Sequence, residues 1–108
     1  MTLKKAQEQV ELWITNYGVR YFNELTNMTL LMEEVGELAK IMARRYGEQS
    51  SKPSEKKADI GDEMADILFV LICLANQMNI DLEKAFQNNL RKKTLRDIKR
   101  HQQNRKLQ

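Results

Sequence analysis

The stretch Glu63-Met64-Ala65-Asp66-Ile67-Leu68-Phe69-Val70-Leu71-Ile72-Cys73-Leu74-Ala75 decides how this chain folds. Its last nine residues, Ile67 to Ala75, are apolar without a break. A membrane-spanning helix needs about twenty such residues, so this run is too short to span. Strict apolar/polar alternation occurs nowhere in the chain, and no hairpin dipeptide such as Asn-Gly is present. The run is therefore predicted as part of a helix in an all-α protein. A helix with no polar face must be buried on every side. The chain has room for only three other helices, so this helix is expected at the core of a dimeric or tetrameric bundle.

The helix carrying the run is predicted from about Glu55 to Met78, with Ser54 as its cap. Before it, Glu48 to Ser54 is polar, contains Pro53 and reads as a loop. The preceding helix is expected from Asn27 or Met28 to Tyr46. Asn27 is its candidate cap, and Gly47 stands where a left-handed residue commonly ends a helix. Met28, Leu31, Val35, Leu38 and Met42 trace its apolar stripe. The first helix spans about Thr2 to Tyr17 and stops at Gly18, followed by a connector over 18–26. The fourth starts at Leu82 behind the cap Asp81 and runs to about Arg100. Residues 1–100 read as one helical domain and 101–108 as a polar, frayed tail.

With 108 residues the chain is one domain, and a lone monomer would bury only a modest core. One cysteine excludes an internal disulfide, and one histidine excludes a site that needs two imidazoles per chain. Cys73 lies within the apolar run and reads as a small buried hydrophobe. No N-terminal stretch resembles a signal peptide, so a cytoplasmic location is expected, with no membrane partner. The net charge of +3 is unevenly placed. Residues 91–106 hold eight basic residues and one acid, whereas residues 1–90 hold 10 basic and 14 acidic residues.

Two acidic pairs carry the chemistry: Glu34-Val35-Gly36-Glu37 on the second helix and Glu63-Met64-Ala65-Asp66 on the third. A spacing of three puts both members of a pair on one helical face. The pairs border the apolar stripes, so antiparallel packing along those stripes brings four carboxylates together. Such a cluster calls for a divalent cation. All donors are hard oxygens, which favours Mg²⁺ or Mn²⁺ over zinc. The sole histidine, His101, follows neither pair, which excludes the Glu-x-x-His motif of di-iron bundles. Magnesium in such sites meets substrate phosphates. Lys92 and Arg96, four apart on the basic helix, could reach the same polyphosphate. Metal-assisted cleavage of a phosphoanhydride by water follows.

Glu33-Glu34-Val35-Gly36-Glu37-Leu38-Ala39, followed by Glu63-Met64-Ala65-Asp66-Ile67-Leu68-Phe69, resembles the MazG-like nucleotide pyrophosphohydrolases. Their signature is E-x-x-E, a spacer, then E-x-x-D leading into an apolar helix. Both halves are intact, with 25 residues between Glu37 and Glu63. The likeness extends over about residues 28–100 and includes Arg45-Tyr46-Gly47-Glu48 and Arg96-Asp97. It implies an all-α dimer, or a tetramer of two dimers, that uses Mg²⁺ to hydrolyse (d)NTPs to the monophosphate and pyrophosphate. It also implies that Glu34, Glu37, Glu63 and Asp66 are metal ligands and that Lys92 and Arg96 contact phosphates. Many relatives carry an asparagine near those basic residues, where this chain has Thr94.

Either Glu34 or Glu37 is expected to orient or deprotonate the attacking water. Tyr21, Phe22 and Trp13 are the candidate base-stacking aromatics, with Tyr17 and Tyr46 behind them. Trp13 also lies on the apolar stripe of the first helix, where a core role is the plainer reading. Gly36 and Gly61, inside predicted helices, suggest close helix approach. A helical nucleic-acid-binding or regulatory protein using the basic tail is the main alternative, disfavoured because the tail lacks interleaved aromatics. A purely structural bundle is the other, and it leaves the acids without a role. Substituting the acids separates the three. An enzyme loses turnover and metal binding, whereas either alternative is unchanged or gains stability on removal of the repulsion.

Overall fold

A computed structural model describes residues 1–54 and 57–108. Among them are four α-helices and no strand: α1 (Leu3–Trp13), α2 (Glu24–Tyr46), α3 (Ile60–Gln77) and α4 (Leu82–Gln102). Each helix opens on a short polar side chain that accepts a hydrogen bond from an otherwise unpaired N–H. Thr2 accepts from Lys5 at 3.0 Å, Asn23 from Thr26 at 2.8 Å, Asp59 from Asp62 at 3.3 Å and Asp81 from Lys84 at 3.1 Å.

Several sequence-based boundaries move. Asn23, not Asn27, caps α2, so Asn27 lies one turn inside the helix and is buried. Asp59, not Ser54, caps α3; the expected start at Glu55 lies outside the described residues, and Lys57 to Asp59 are not helical. Asp and Asn are strong caps at many positions in this sequence, and only packing selects among them. Past the expected end at Arg100, α4 continues to Gln102, and Arg105–Leu107 form a 3₁₀ turn capped by Asn104. Gly47 is not left-handed, with φ −96° and ψ −157°. It is needed for a different reason, because a Cβ there would lie 2.4 Å from the Ala43 carbonyl oxygen. Gly36 and Gly61 do not mark close helix approach: a Cβ on Gly36 meets nothing, and one on Gly61 meets only the Asp59 cap.

The first helix ends in an unusual way. After Trp13 the backbone widens into a π-helical turn, Ile14–Gly18. The Thr15 hydroxyl donates to the Glu11 carbonyl at 2.9 Å, which competes with the regular ladder at this point. Val19 then adopts φ 71° and ψ −60°, closed by Arg20 N–H donating to the Gly18 carbonyl at 2.8 Å. This is the rare γ-turn, costly for a β-branched residue. It reverses the chain abruptly and delivers Arg20, Tyr21 and Phe22 to the start of α2.

The main packing unit is the α2–α3 hairpin, with α1 laid on α3. Asn27 near the start of α2 bonds Gln77 at the end of α3, and Arg45 near the end of α2 bonds the Ala58 carbonyl just before α3. The two helices are therefore antiparallel. Amides tie the rest together. Gln7 on α1 donates to Asn76 Oδ1 (3.0 Å) and to the Ile80 carbonyl (2.8 Å), and accepts from Leu82 N–H (2.9 Å). Asn76 donates to the Gln7 carbonyl and to the Tyr21 hydroxyl, which in turn donates to Glu11.

Only Ile72, Cys73, Leu74 and Ala75 of the apolar run are fully buried in the single chain, with Ile41 from α2. Leu68 and Leu71 remain 43% and 41% exposed. The cause is α4, which leaves α3 at a bend of 104° instead of folding back along it. The radius of gyration is 17.6 Å, against about 13 Å for a compact chain of this length. No described helix is long and apolar enough to cross a membrane.

Burial pushes the Cys73 thiol up to about 11, and burial with the hydrogen bond to Glu11 pushes the Tyr21 hydroxyl up to about 12. The folded chain keeps these protons at a pH where the unfolded chain has lost them. Their contribution is present in full below about pH 9 and lost as pH rises through 11 to 12. Thermal melts across that range are expected to show falling stability, with tyrosinate absorbance from Tyr21 developing only near unfolding. A Cys73 that reacts with a thiol reagent at pH 8 as fast as free cysteine would contradict this burial.

Candidate metal centre and adjoining cavity

Glu34 and Leu38 share a face of α2, and Glu63, Asp66 and Phe69 share a face of α3. Antiparallel packing places those faces opposite each other. Carboxylate oxygens of Glu34, Glu63 and Asp66 then lie within 4.8 Å of one another. Glu34 and Glu63 are half-buried. The fourth acid, Glu37, does not join this group; its carboxylate pairs with Lys40 at 3.3 Å. It still acts on the cluster through space. Burial, then the charges of Asp66, Glu63, Glu37 and Glu33, hold the Glu34 carboxyl above its ordinary range. Glu33 points to the exposed side of the helix, as its position 100° away implies.

One turn along the hairpin from the acids is a cavity of about 280 Å³. Leu30 lies four residues before Glu34, and Phe69 three after Asp66, and both line it. The distance along the helix is about one pitch, 5.4 Å. All three aromatics expected from the sequence, Trp13, Tyr21 and Phe22, line the same cavity. Trp13 is not a core residue: it is 49% exposed, stands edge-on to Phe69 (centroids 5.5 Å, 88°) and tilts against Tyr17 at 5.8 Å. The π-turn and the γ-turn put these rings there, and neither is visible as a pattern in the sequence. Tyr46 is exposed at the far end of α2, away from the cavity lining.

The structure does not bring the basic residues to the acids within one chain. Among the described helices, α4 packs chiefly on α1 and not along α2 or α3. Arg96 grips Asp97 through two hydrogen bonds of 3.0 and 2.9 Å, and Arg100 joins at 3.2 Å. The Arg96 hydrogen bonds hold the Asp97 carboxyl below its usual range. Lys92 is exposed on the same helix.

Sequence reasoning missed the amides. Asn27 was read as a cap and is a buried cavity residue; Gln7, Asn76 and Gln77 form the polar seam above it. The available signal was Asn76-Gln77, two amides closing an otherwise apolar helix. Polar groups in that position must find partners when buried.

Because folding raises the Glu34 pKa, the metal-free protein takes up a proton more readily than the unfolded chain. Its stability is expected to rise as pH falls from neutral toward the carboxylate range. Glu34→Gln should stabilise the metal-free protein at pH 7, by roughly 0.2–0.5 kcal/mol from its i,i+3 pair with Glu37 alone. Thermal melts in chelator test this, and a destabilised variant would contradict the repulsion.

The sequence model of the MazG nucleotide pyrophosphohydrolase domain matches residues 22–101, which include both acidic pairs and the basic helix. Protein YpjD of Bacillus subtilis is 41% identical over 96 residues, covering 89% of this chain and 86% of that protein. YvdC of the same organism is 28% identical over 102 residues, covering 86% and 96%. The crystal structure of YpjD superposes with a TM-score of 0.79 at 39% identity, covering 90% of this chain and 97% of that one. That of the Bacillus-conserved MazG protein, a nucleotide pyrophosphohydrolase, gives 0.70 at 40% identity, covering 85% and 88%. With all-α architecture, acidic cluster and family match in agreement, the chain belongs to the MazG nucleotide pyrophosphohydrolase family and is a hydrolase.

Proposed function

We propose that the protein hydrolyses nucleoside triphosphates, (d)NTP to (d)NMP and pyrophosphate, in a Mg²⁺-dependent reaction that serves cytoplasmic nucleotide-pool house-cleaning. The observation that carries this is the three-carboxylate cluster one helical turn from an aromatic-lined cavity. The donor set fits a hard divalent cation: Glu34, Glu63 and Asp66 offer oxygens within 4.8 Å, with no thiolate or imidazole among them. Those three would hold Mg²⁺, or Mn²⁺ in its place; Glu37, expected as a fourth ligand, would have to turn from its ion pair with Lys40 to join them. The cation supplies neutralisation of the phosphate charge when bound.

The chain's own residues do the remaining work. Trp13, Tyr21 and Phe22 offer stacking surface for the base, which leaves the triphosphate running along the hairpin toward the acids. Glu37, exposed beside Lys40 and outside the three-carboxylate group, is the carboxylate proposed to take the proton of a water attacking the α-phosphorus. The new P–O bond forms as the bond to the β-phosphate oxygen breaks, and pyrophosphate leaves. Glu34 is the alternative carboxylate for this proton-accepting role.

Lys92 and Arg96 are assigned to the phosphates, and self-association supplies the geometry the single chain lacks. An apolar groove of about 580 Å³ between α3 and α4, lined by Leu68, Leu71, Phe86 and Leu90, faces outward. Covering it with a second copy buries the rest of the apolar run. It also allows α4 of one copy to approach the acids of another. A homodimer or homotetramer is the assembly proposed. Nucleic acid is not a proposed partner.

The test is a product assay over standard and modified (d)NTPs with Mg²⁺, with and without chelator. Monophosphate plus pyrophosphate, lost with chelator, is the expected outcome. Diphosphate plus phosphate would contradict attack at the α-phosphorus. Glu37→Gln should lower kcat by about 100-fold or more with an unchanged circular dichroism spectrum. Light scattering should give a mass at two or four times 12.7 kDa; a monomer would refute the shared site.

A further inference from the structure

The cavity beside the acids has a floor and a rim of different chemistry. Asn27 and Cys73 form the floor, each 4% exposed. Trp13, Arg20 and Phe22 stand exposed at the rim. The Asn27 side-chain nitrogen donates to the Phe22 carbonyl at 3.3 Å and to Gln77 Oε1 at 2.7 Å. The Gln77 nitrogen also donates to the Phe22 carbonyl. A carbonyl can only accept, so the nitrogen of each amide is fixed toward it. Both Asn27 donor hydrogens are then committed.

The Asn27 Oδ1 accepts no hydrogen bond among the described residues. Among those residues no sealed side-chain oxygen or nitrogen lacks a partner, so this oxygen has access to space. The space that Asn27 lines is the cavity. The floor thus offers one strong acceptor, one weak thiol donor and apolar walls. The remaining side-chain donors in the lining, the Trp13 indole N–H and Arg20, stand at the rim and not at the floor, and Arg20 donates to the Tyr21 carbonyl at 2.8 Å.

We propose that Asn27 Oδ1 selects nucleobases bearing an exocyclic amine, cytosine or adenine, over their keto counterparts. This rests on the reading of the cavity as the base pocket. An amine donates to the waiting oxygen. A keto oxygen in its place meets the Asn27 oxygen lone pair to lone pair and loses its water without replacement. The Cys73 thiol is too weak a donor to compensate. Uracil has one ring donor, flanked by two keto oxygens, so turning it to Asn27 buries both without partners.

The test is calorimetric binding, with saturating Mg²⁺, of non-hydrolysable α,β-imido analogues in two matched pairs: dCTP against dUTP and dATP against dITP. The amino member is expected to bind about fivefold tighter or more in at least one pair, the worth of one net hydrogen bond. A smaller ratio in both pairs, a preference for the keto member, or no binding by any analogue overturns the proposal. In Asn27→Ser the ratio should fall below about threefold; a folded variant that keeps it removes Asn27 as the selector. If the variant does not fold, the wild-type ratios decide alone. The two readings fail separately. Equal hydrolysis of dCTP and dUTP, and of dATP and dITP, would retain the enzyme and sink the selection. Selective binding without hydrolysis would do the reverse.

Discussion

Everything functional in this chain depends on the register of α2 against α3. That register is held at both ends by hydrogen bonds, Asn27 to Gln77 at one and Arg45 to the Ala58 carbonyl at the other. Between them, apolar packing forces Glu34, Glu63 and Asp66 to within 4.8 Å. Like charges that close oppose folding, and burial makes the opposition stronger. The same register places Leu30 and Phe69 one turn away, where they wall the cavity. A slip of one turn would separate the acids and close the cavity together. The acidic cluster and the adjoining cavity are thus two consequences of one packing choice.

The helices, their order and the approach of three of the four acids are legible because they rest on periodicities. Apolar residues at helical spacing define the elements, and packing along those stripes brings the bordering carboxylates Glu34, Glu63 and Asp66 together, whereas Glu37 turns to Lys40. What was not legible depends on tertiary partners. Asn27 and Asn23 are equal cap candidates by residue type, and only the buried bond to Gln77 makes Asn27 an interior group. Trp13 lies on the stripe of α1, yet the π-turn after it leaves the ring half-exposed at the cavity rim. Gly36 and Gly61 suggest tight helix contact and have none among the described residues. A glycine reports a local need only when something occupies the space its side chain would take.

The fourth helix explains why a short chain carries so much apolar surface. Leaving α3 at 104°, it uncovers Leu68 and Leu71 and presents Phe86 and Leu90 beside them. It also takes Lys92 and Arg96 away from the acids of their own chain. Both features look like deficits in one copy, and the proposed self-association would resolve them together. On this account the hairpin is the chemical unit, and α4 serves assembly and charge balance.

The central claim is that the carboxylate cluster between α2 and α3 holds a divalent cation. Anomalous diffraction from crystals grown with Mn²⁺ measures this most directly. The account predicts an anomalous peak bounded by Glu34, Glu63 and Asp66. A fully occupied Mn²⁺ elsewhere in the molecule, with no peak among those three side chains, would contradict it.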